Sequence, residues 1–296
     1  MTTGMLAGTG TALVTPFTPD GAVDEPALHS LVAWQLAEGV SFLVPCGSTG
    51  EAATLSPEEQ ARVVSITADV VAGRVPVVAG AGSNDTRRAV ALSHAMHRAG
   101  ATHLLHVSPM YSKPPQRGIV AHFRAVADES PLPVVLYNVP GRTASNMLVE
   151  TTLALAEHPR IVAIKEASGN LQQIGEILRQ RPAGFGVLSG DDALTRQVML
   201  LGGEGVISVV SNAVPRAMAA LTTACADGRA DDARRLEAAL LPWMQAAFEE
   251  SNPIPAKAAL AMMGRIADSL RLPLVPLAPE HHETVRAALR AAGVAL

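Results

Sequence analysis

A chain of 296 residues that is 48% hydrophobic and 17% charged can close a large core, and this balance excludes a disordered, highly charged protein. A formal net charge of −4 without any basic block excludes an electrostatic footprint for nucleic acid and leaves small molecules as the expected partners. Length alone does not divide the chain, because α/β barrels of about 250 residues form one unit.

Short runs rich in Val, Ile and Leu alternate with segments of helical period, which predicts repeated β-α units around a parallel sheet. In chain order the predicted strands lie over Gly8–Val14, Ser41–Pro45, Val75–Gly80, Thr102–Val107, Pro133–Asn138, Ile161–Glu166, Phe185–Ser189 and Gly205–Val210. A helix-length segment follows each. After the second strand, Ser56 is the expected N-cap, Pro57 suits the first helical position, and Ser56 with Glu59 has capping-box spacing. Val63, Ile66 and Val70 then recur at helical spacing and predict a stripe against the sheet. Eight strands predict an α/β fold, a closed (β/α)8 TIM barrel. An open doubly wound sheet is disfavoured, because Gly8 and Gly10 are not followed by the dinucleotide-binding glycine pattern. Beyond Gly228 no strand signal remains. Helices are expected near Asp231–Glu250, Pro255–Arg265 and Pro279–Ala292, so residues 1–228 are read as the barrel and 229–296 as a C-terminal helical appendage packed on it.

Barrels of this kind carry their active sites at the carboxyl ends of the strands. Lys165 ends the apolar run Ile161-Val162-Ala163-Ile164 and is one of only three lysines, with Lys113 and Lys257, in an arginine-rich chain. Unlike arginine, a desolvated lysine can become a nucleophilic amine. The competing role is a strand-end ion pair with Glu166, but alternation sends neighbouring side chains to opposite faces. The two tyrosines, Tyr111 and Tyr137, follow or end the fourth and fifth strands. Each could relay protons or simply pack with its hydroxyl satisfied. Gly47-Ser48-Thr49-Gly50-Glu51 could turn amides and two hydroxyls toward a carboxylate through its glycines, or be an ordinary loop. Arg142 could grip a second carboxylate or lie on the surface.

Cys46 and Cys225 match no zinc or redox spacing, and Cys46 is read as a buried filler. Residues 1–10 lack a leader-like pattern, and no apolar run approaches the roughly 18 residues of a membrane span. A cytoplasmic protein without a membrane segment is therefore expected. None of the nine histidines forms a metal-binding pair, and His94 with His97 reads as a solvated helix face.

Taken together, Gly47-Ser48-Thr49-Gly50-Glu51, Tyr137-Asn138-Val139-Pro140, Ile164-Lys165-Glu166-Ala167, Ser189-Gly190-Asp191-Asp192 and Gly205-Val206-Ile207-Ser208 resemble the dihydrodipicolinate synthase and N-acetylneuraminate lyase family over nearly the whole chain. The resemblance implies a pyruvate imine on Lys165, a proton shuttle at Tyr137, and Thr49 linking Tyr137 to Tyr111 of a neighbouring subunit. It further implies that Ser48 and Thr49 hold the pyruvate carboxylate, that Gly190 and Ile207 line the pocket, and that Arg142 binds the second substrate's carboxylate. No metal or organic cofactor is implied, and a homotetramer built from dimers is.

Arg142 after Pro140-Gly141, and Asn252-Pro253-Ile254-Pro255 ahead of Lys257, favour the synthase branch, which condenses pyruvate with L-aspartate 4-semialdehyde in lysine and diaminopimelate biosynthesis. The alternatives are a pyruvate-dependent aldolase for a 2-keto-3-deoxy sugar acid or N-acetylneuraminate, and a barrel that binds ligands without catalysis. Where lysine-inhibited synthases commonly offer a histidine or glutamate pair and an extra tyrosine, this chain has Pro57, Gln60, Arg88 and Met110, although Asn84 is kept. Arg88 would repel a lysine ammonium, so weak or absent feedback inhibition is expected.

Overall fold

In the computed structural model, which describes residues 5–296, the eight predicted strands form one parallel sheet. They are β1 (Gly8–Ala12), β2 (Phe42–Val44), β3 (Val78–Gly80), β4 (His103–Val107), β5 (Val134–Asn138), β6 (Ile161–Glu166), β7 (Gly186–Ser189) and β8 (Gly205–Ser208). Hydrogen bonding runs β2-β1-β8-β7-β6-β5-β4-β3. The remaining seam is closed by a parallel bridge between Leu43 and Val77 and by the Gly80 N–H donating to the Pro45 carbonyl at 2.9 Å. The sheet is thus a TIM barrel, as the alternation predicted.

Most ladders stop one to three residues short of the predicted runs. Leu13 and Val14, for instance, stay buried after β1 ends, and the Val14 N–H turns from the ladder to Asn212 Oδ1 at 3.1 Å. Burial outlasts strand pairing at the barrel mouth, so an apolar run overestimates the strand.

Alternation divides each strand between two cores. Ala12, Phe42, Val44, Val78, Leu105, Val135, Tyr137, Ala163, Leu188 and Ile207 pack together inside the barrel. Gly10 makes room for them, since a Cβ there would lie 2.0 Å from the Phe42 ring. Outward residues such as Leu43, Leu104, Leu136, Ile164 and Val187 meet the surrounding helices. These are α1 (Glu25–Ala37), α2 (Pro57–Val71), α3 (Thr86–Arg98), α4 (Gln116–Glu129), the short α5 (Pro140–Thr143), α6 (Val149–Ala156), α7 (Leu171–Gln180), α8 (Thr195–Leu200) and α9 (Pro215–Ala226).

Helix α2 begins as its sequence predicted. Ser56 Oγ accepts from the Glu59 N–H at 3.2 Å, and Glu59 Oε2 accepts from the Ser56 N–H at 2.9 Å. The C-terminal helices are α10 (Ala230–Ala246), α11 (Ile254–Met262) and α12 (His282–Ala291). Their apolar faces bury Leu240, Trp243, Met244, Val285 and Leu289 with Val206 and Val210 from the end of the barrel, and the Trp243 indole donates to the Val210 carbonyl at 3.1 Å. Among the described residues no helix is long and apolar enough to cross a membrane.

Candidate active site

Tyr137 and Lys165 are register partners on β5 and β6, so an inward tyrosine stands beside an inward lysine near the carboxyl ends of both strands. Lys165 is only 5% exposed, and its Nζ lies over the Tyr137 ring, 4.3 Å from the centroid. One residue farther on, Asn138 and Glu166 pair in the same register and point to the other side of the sheet. The possible Lys165–Glu166 ion pair is therefore not formed.

Gly190, just past β7, packs closely against Lys165. A Cβ there would come within 3.1 Å of both Cγ and Cε of Lys165 and 2.6 Å of the Ala167 Cβ, so only glycine leaves the lysine its channel. Its N–H donates to the Glu166 carbonyl at 2.7 Å, which ties the turn to β6. Ile207 of β8 is fully buried in the same interior cluster as Tyr137. Lys165, Tyr137, Gly190 and Ile207 are thus brought together.

The loop Gly47-Ser48-Thr49-Gly50-Glu51 differs from the expectation in its backbone. Its left-handed residues are Cys46 (φ 57°) and Glu51 (φ 53°), which flank the glycines. Gly50 instead serves close packing, for a Cβ there would be 3.1 Å from both the Cys46 nitrogen and the Leu13 carbonyl oxygen. The Gly50 and Glu51 N–H groups donate within the loop, to Gly47 and Ser48 carbonyls. Ser48 is exposed and Thr49 is buried.

Thr49 Oγ1 accepts from Asn252 Nδ2 at 2.9 Å, and among the described residues no hydrogen bond joins Thr49 to Tyr137. Arg142, on α5, donates from Nη2 to the Asn252 carbonyl at 3.0 Å. Asn252 therefore bridges the two residues expected to hold carboxylates. Sequence reasoning used it only as a branch marker. Its partners lie 203 and 110 positions away, so no local pattern could have revealed the bridge.

Tyr111 follows β4 at the same rim but stands 89% exposed, in the left-handed region with φ 72°. Lys113 shares that conformation with φ 48°, and the Ser112 N–H donates back to the Met110 carbonyl at 2.8 Å. Two non-glycine residues held this way mark a constrained loop. Within one chain Tyr111 does not join Thr49 and Tyr137.

Two buried carboxylates support the rim. Glu51 pairs with Lys257 of α11 at 2.5 Å, both side chains wholly inaccessible, and its other oxygen accepts from the Arg271 N–H at 3.1 Å. Asp192, following β7, accepts from the Val209 and Val210 N–H groups at 2.9 and 3.3 Å, and complete burial pushes its carboxyl up to about 6. Cys46 is a filler as expected: burial pushes its thiol up to about 12, and the sulfur donates to the Gln60 carbonyl at 3.6 Å. Among the described residues no group of three or more His, Cys, Asp or Glu is arranged to hold a metal ion.

This arrangement sets a buried amine beside a phenol and, through Asn252, ties Arg142 to Thr49. Residues 5–292 match the model of the "Dihydrodipicolinate synthetase family". A Koribacter versatilis protein named 4-hydroxy-tetrahydrodipicolinate synthase is 49% identical over 290 residues, covering 98% of this chain and 97% of the relative. The structure of a chloride-inhibited dihydrodipicolinate synthase from Acinetobacter baumannii, complexed with pyruvate, aligns with a TM-score of 0.97 at 40% identity, covering 98% of this chain and all of that one. A dihydrodipicolinate synthase from Cyanidioschyzon merolae with lysine bound aligns with a TM-score of 0.94 at 42% identity, covering 97% and 98% of the two chains. With the barrel, the buried lysine and a family match over nearly its full length, this chain belongs to the dihydrodipicolinate synthetase family.

Proposed function

We propose that the chain is a cytoplasmic lyase that condenses pyruvate with L-aspartate 4-semialdehyde to 4-hydroxy-tetrahydrodipicolinate, through an imine on Lys165. The observation that carries this reading is the buried Lys165 amine over the Tyr137 ring in the barrel mouth. Its relatives' names supply the reaction, and the position of Arg142 supports an acceptor that bears a carboxylate.

The Lys165 nitrogen attacks the pyruvate carbonyl carbon, and the carbonyl oxygen departs as water to leave a protonated imine. That cation is an electron sink. A methyl proton passes to the Tyr137 oxygen as the phenol hands its own proton on through the Thr49–Tyr111 relay, the C–H electron pair moves into the imine, and an enamine results. Its terminal carbon attacks the aldehyde carbon of the second substrate, whose oxygen takes up a proton. Displacement of the lysine by the product's own amine, or by water, frees Lys165. Because the imine supplies the electron sink, the sequence needs no metal or organic cofactor.

In this scheme Ser48 and Thr49 hold the pyruvate carboxylate, Gly190 and Ile207 shape the pocket, and Arg142 grips the semialdehyde carboxylate. Tyr111, exposed on a constrained loop, completes the site of a neighbouring subunit in a homotetramer built from dimers. The helices of residues 229–296 are an appendage to the 1–228 barrel that holds Thr49 and Arg142 through Asn252.

Acceptor screening with purified protein and pyruvate tests the reading. Turnover of L-aspartate 4-semialdehyde well above that of sugar aldehydes is expected. Preferential formation or cleavage of a 2-keto-3-deoxy sugar acid or N-acetylneuraminate would overturn it in favour of an aldolase.

A further inference from the structure

Behind the strands that carry Tyr137 and Lys165 lies a buried polar cluster that the reaction does not touch. Glu166 is wholly inaccessible and accepts from three neutral donors. Oε1 takes the Ser168 N–H at 2.7 Å, Oε2 takes Gln173 Nε2 at 3.1 Å, and Asn138 Nδ2 reaches both oxygens at 3.2 and 3.0 Å. Among the described residues no lysine, arginine or histidine pairs with Glu166. Asn138 is equally buried; its Oδ1 accepts from the Met147 N–H at 2.9 Å and its Nδ2 also donates to Asn146 Oδ1 at 2.8 Å. Asn146 in turn donates to Gln173 Oε1 at 2.7 Å.

A buried charge without a counter-ion is costly, and a hydrophobic pair would pack the same space at less expense. What the carboxylate provides instead is direction: four lone-pair sites that accept only from groups placed around them. Those donors come from β5, the turn after β6 and α7, and the loop before α6 joins the cluster through Asn138 and Gln173. Asn138 and Glu166 are register partners, and each is the immediate chain neighbour of a pocket residue, Tyr137 and Lys165 respectively.

We propose that Glu166, with Asn138 and Gln173, is a positioning device that locks the tips of β5 and β6 together and so holds the Tyr137 phenol in line with a carbon attached to Lys165. The proposal rests on the imine reading above and assigns Glu166 no contact with substrate. Imine formation needs the Lys165 amine and protons that solvent can supply, whereas removing the methyl proton needs the phenol placed against it. Loss of the lock should therefore spare the first step and slow the second, because displacement of a catalytic group by about 1 Å can cost about 10²-fold.

The test compares wild type and Glu166→Gln in two assays: borohydride trapping of pyruvate on Lys165, and exchange of pyruvate methyl protons with deuterated solvent. The amide of the variant turns a donor toward donors and breaks the lock while keeping the shape. Trapping within about threefold of wild type, with exchange slowed about tenfold or more, is expected. Gln173→Met removes one donor, leaves the carboxylate and keeps the test available should Glu166→Gln not fold; it should slow exchange by about threefold with trapping unchanged. Glu166→Gln with Asn138→Asp exchanges acceptor for donor across the strand pair and should recover part of the lost exchange. Exchange unaffected in Glu166→Gln, or trapping and exchange lost in equal proportion in both single variants, would overturn the proposal. A wild-type protein that neither traps nor exchanges pyruvate would instead sink the imine reading, and the positioning role with it.

Discussion

At the scale of single residues, the chemistry depends on which side of a strand each side chain faces. Alternation alone sent Lys165 and Tyr137 into the barrel and Glu166 and Asn138 out of it, and the register of β5 with β6 then set amine and phenol side by side. The opposite facing of Lys165 and Glu166 was legible in the chain, as was the filler role of Cys46, whereas the register was not. The bridge through Asn252 was not, because hydrogen bonds across 110 and 203 positions leave no periodic trace. Nor were the left-handed residues of the second loop: glycine permits that conformation, yet here close packing claims Gly50 and the strain falls on Cys46 and Glu51. Arg142 gives the residue-scale prediction. Removing one charge-assisted contact worth about 1.5–3 kcal/mol should raise KM for the semialdehyde by about tenfold or more in Arg142→Ala, with kcat changed far less. An unchanged KM in steady-state kinetics would mean that the guanidinium does not grip that carboxylate.

Among the elements, α11 does more than cover the barrel. Its Lys257 neutralises Glu51, the last residue of the loop that carries Ser48 and Thr49, and donates to the Ser269 carbonyl at 2.8 Å. Arg271 then reaches α2, where Glu59 both receives its guanidinium and closes the capping box. The sequence announced the cap but not the second use of Glu59, since the capping motif is local and Arg271 is distant. With both partners wholly buried, removing one strands the other charge at a cost of about 3–5 kcal/mol. Lys257→Met should accordingly unfold at clearly lower urea concentration, and adding Glu51→Gln should recover part of that loss. A single variant as stable as wild type would show that the pair does not hold the loop.

For the whole molecule, acid stability follows from groups buried without charge. His106, on β4, is fully buried and bonded to Ser93 Oγ of α3 at 3.2 Å, and burial pushes its imidazole down to about 3 from an ordinary 6.5. The unfolded chain therefore binds a proton first, so this contribution is complete above about 6.5 and is lost as pH falls toward 3. Between about pH 7 and pH 5 it amounts to about 2 kcal/mol. His103 and His122 shift in the same direction, whereas the raised Asp192 opposes them, its contribution declining as pH rises from 3.8 through about 6. Denaturant unfolding at the two pH values should show a smaller acid loss in His106→Gln than in wild type; an equal loss would exclude His106 as a source.

Regulation belongs to the same scale. Gln60 turns inward to the Ala52 carbonyl at 2.9 Å, Arg88 is exposed, and the Asn84 amide donates to the Met110 carbonyl at 3.3 Å. A cationic inhibitor would meet a like charge there. Sub-millimolar lysine should leave the condensation rate nearly unchanged in a coupled assay, and substantial inhibition would contradict this.

The central claim is a covalent one, and it is tested most directly by reducing the protein with borohydride in the presence of pyruvate and mapping the modified peptide by mass spectrometry. The account predicts a single pyruvate-derived adduct on the peptide containing Lys165, absent without pyruvate and absent in Lys165→Arg. Modification of another lysine, or none at all in active protein, would contradict it.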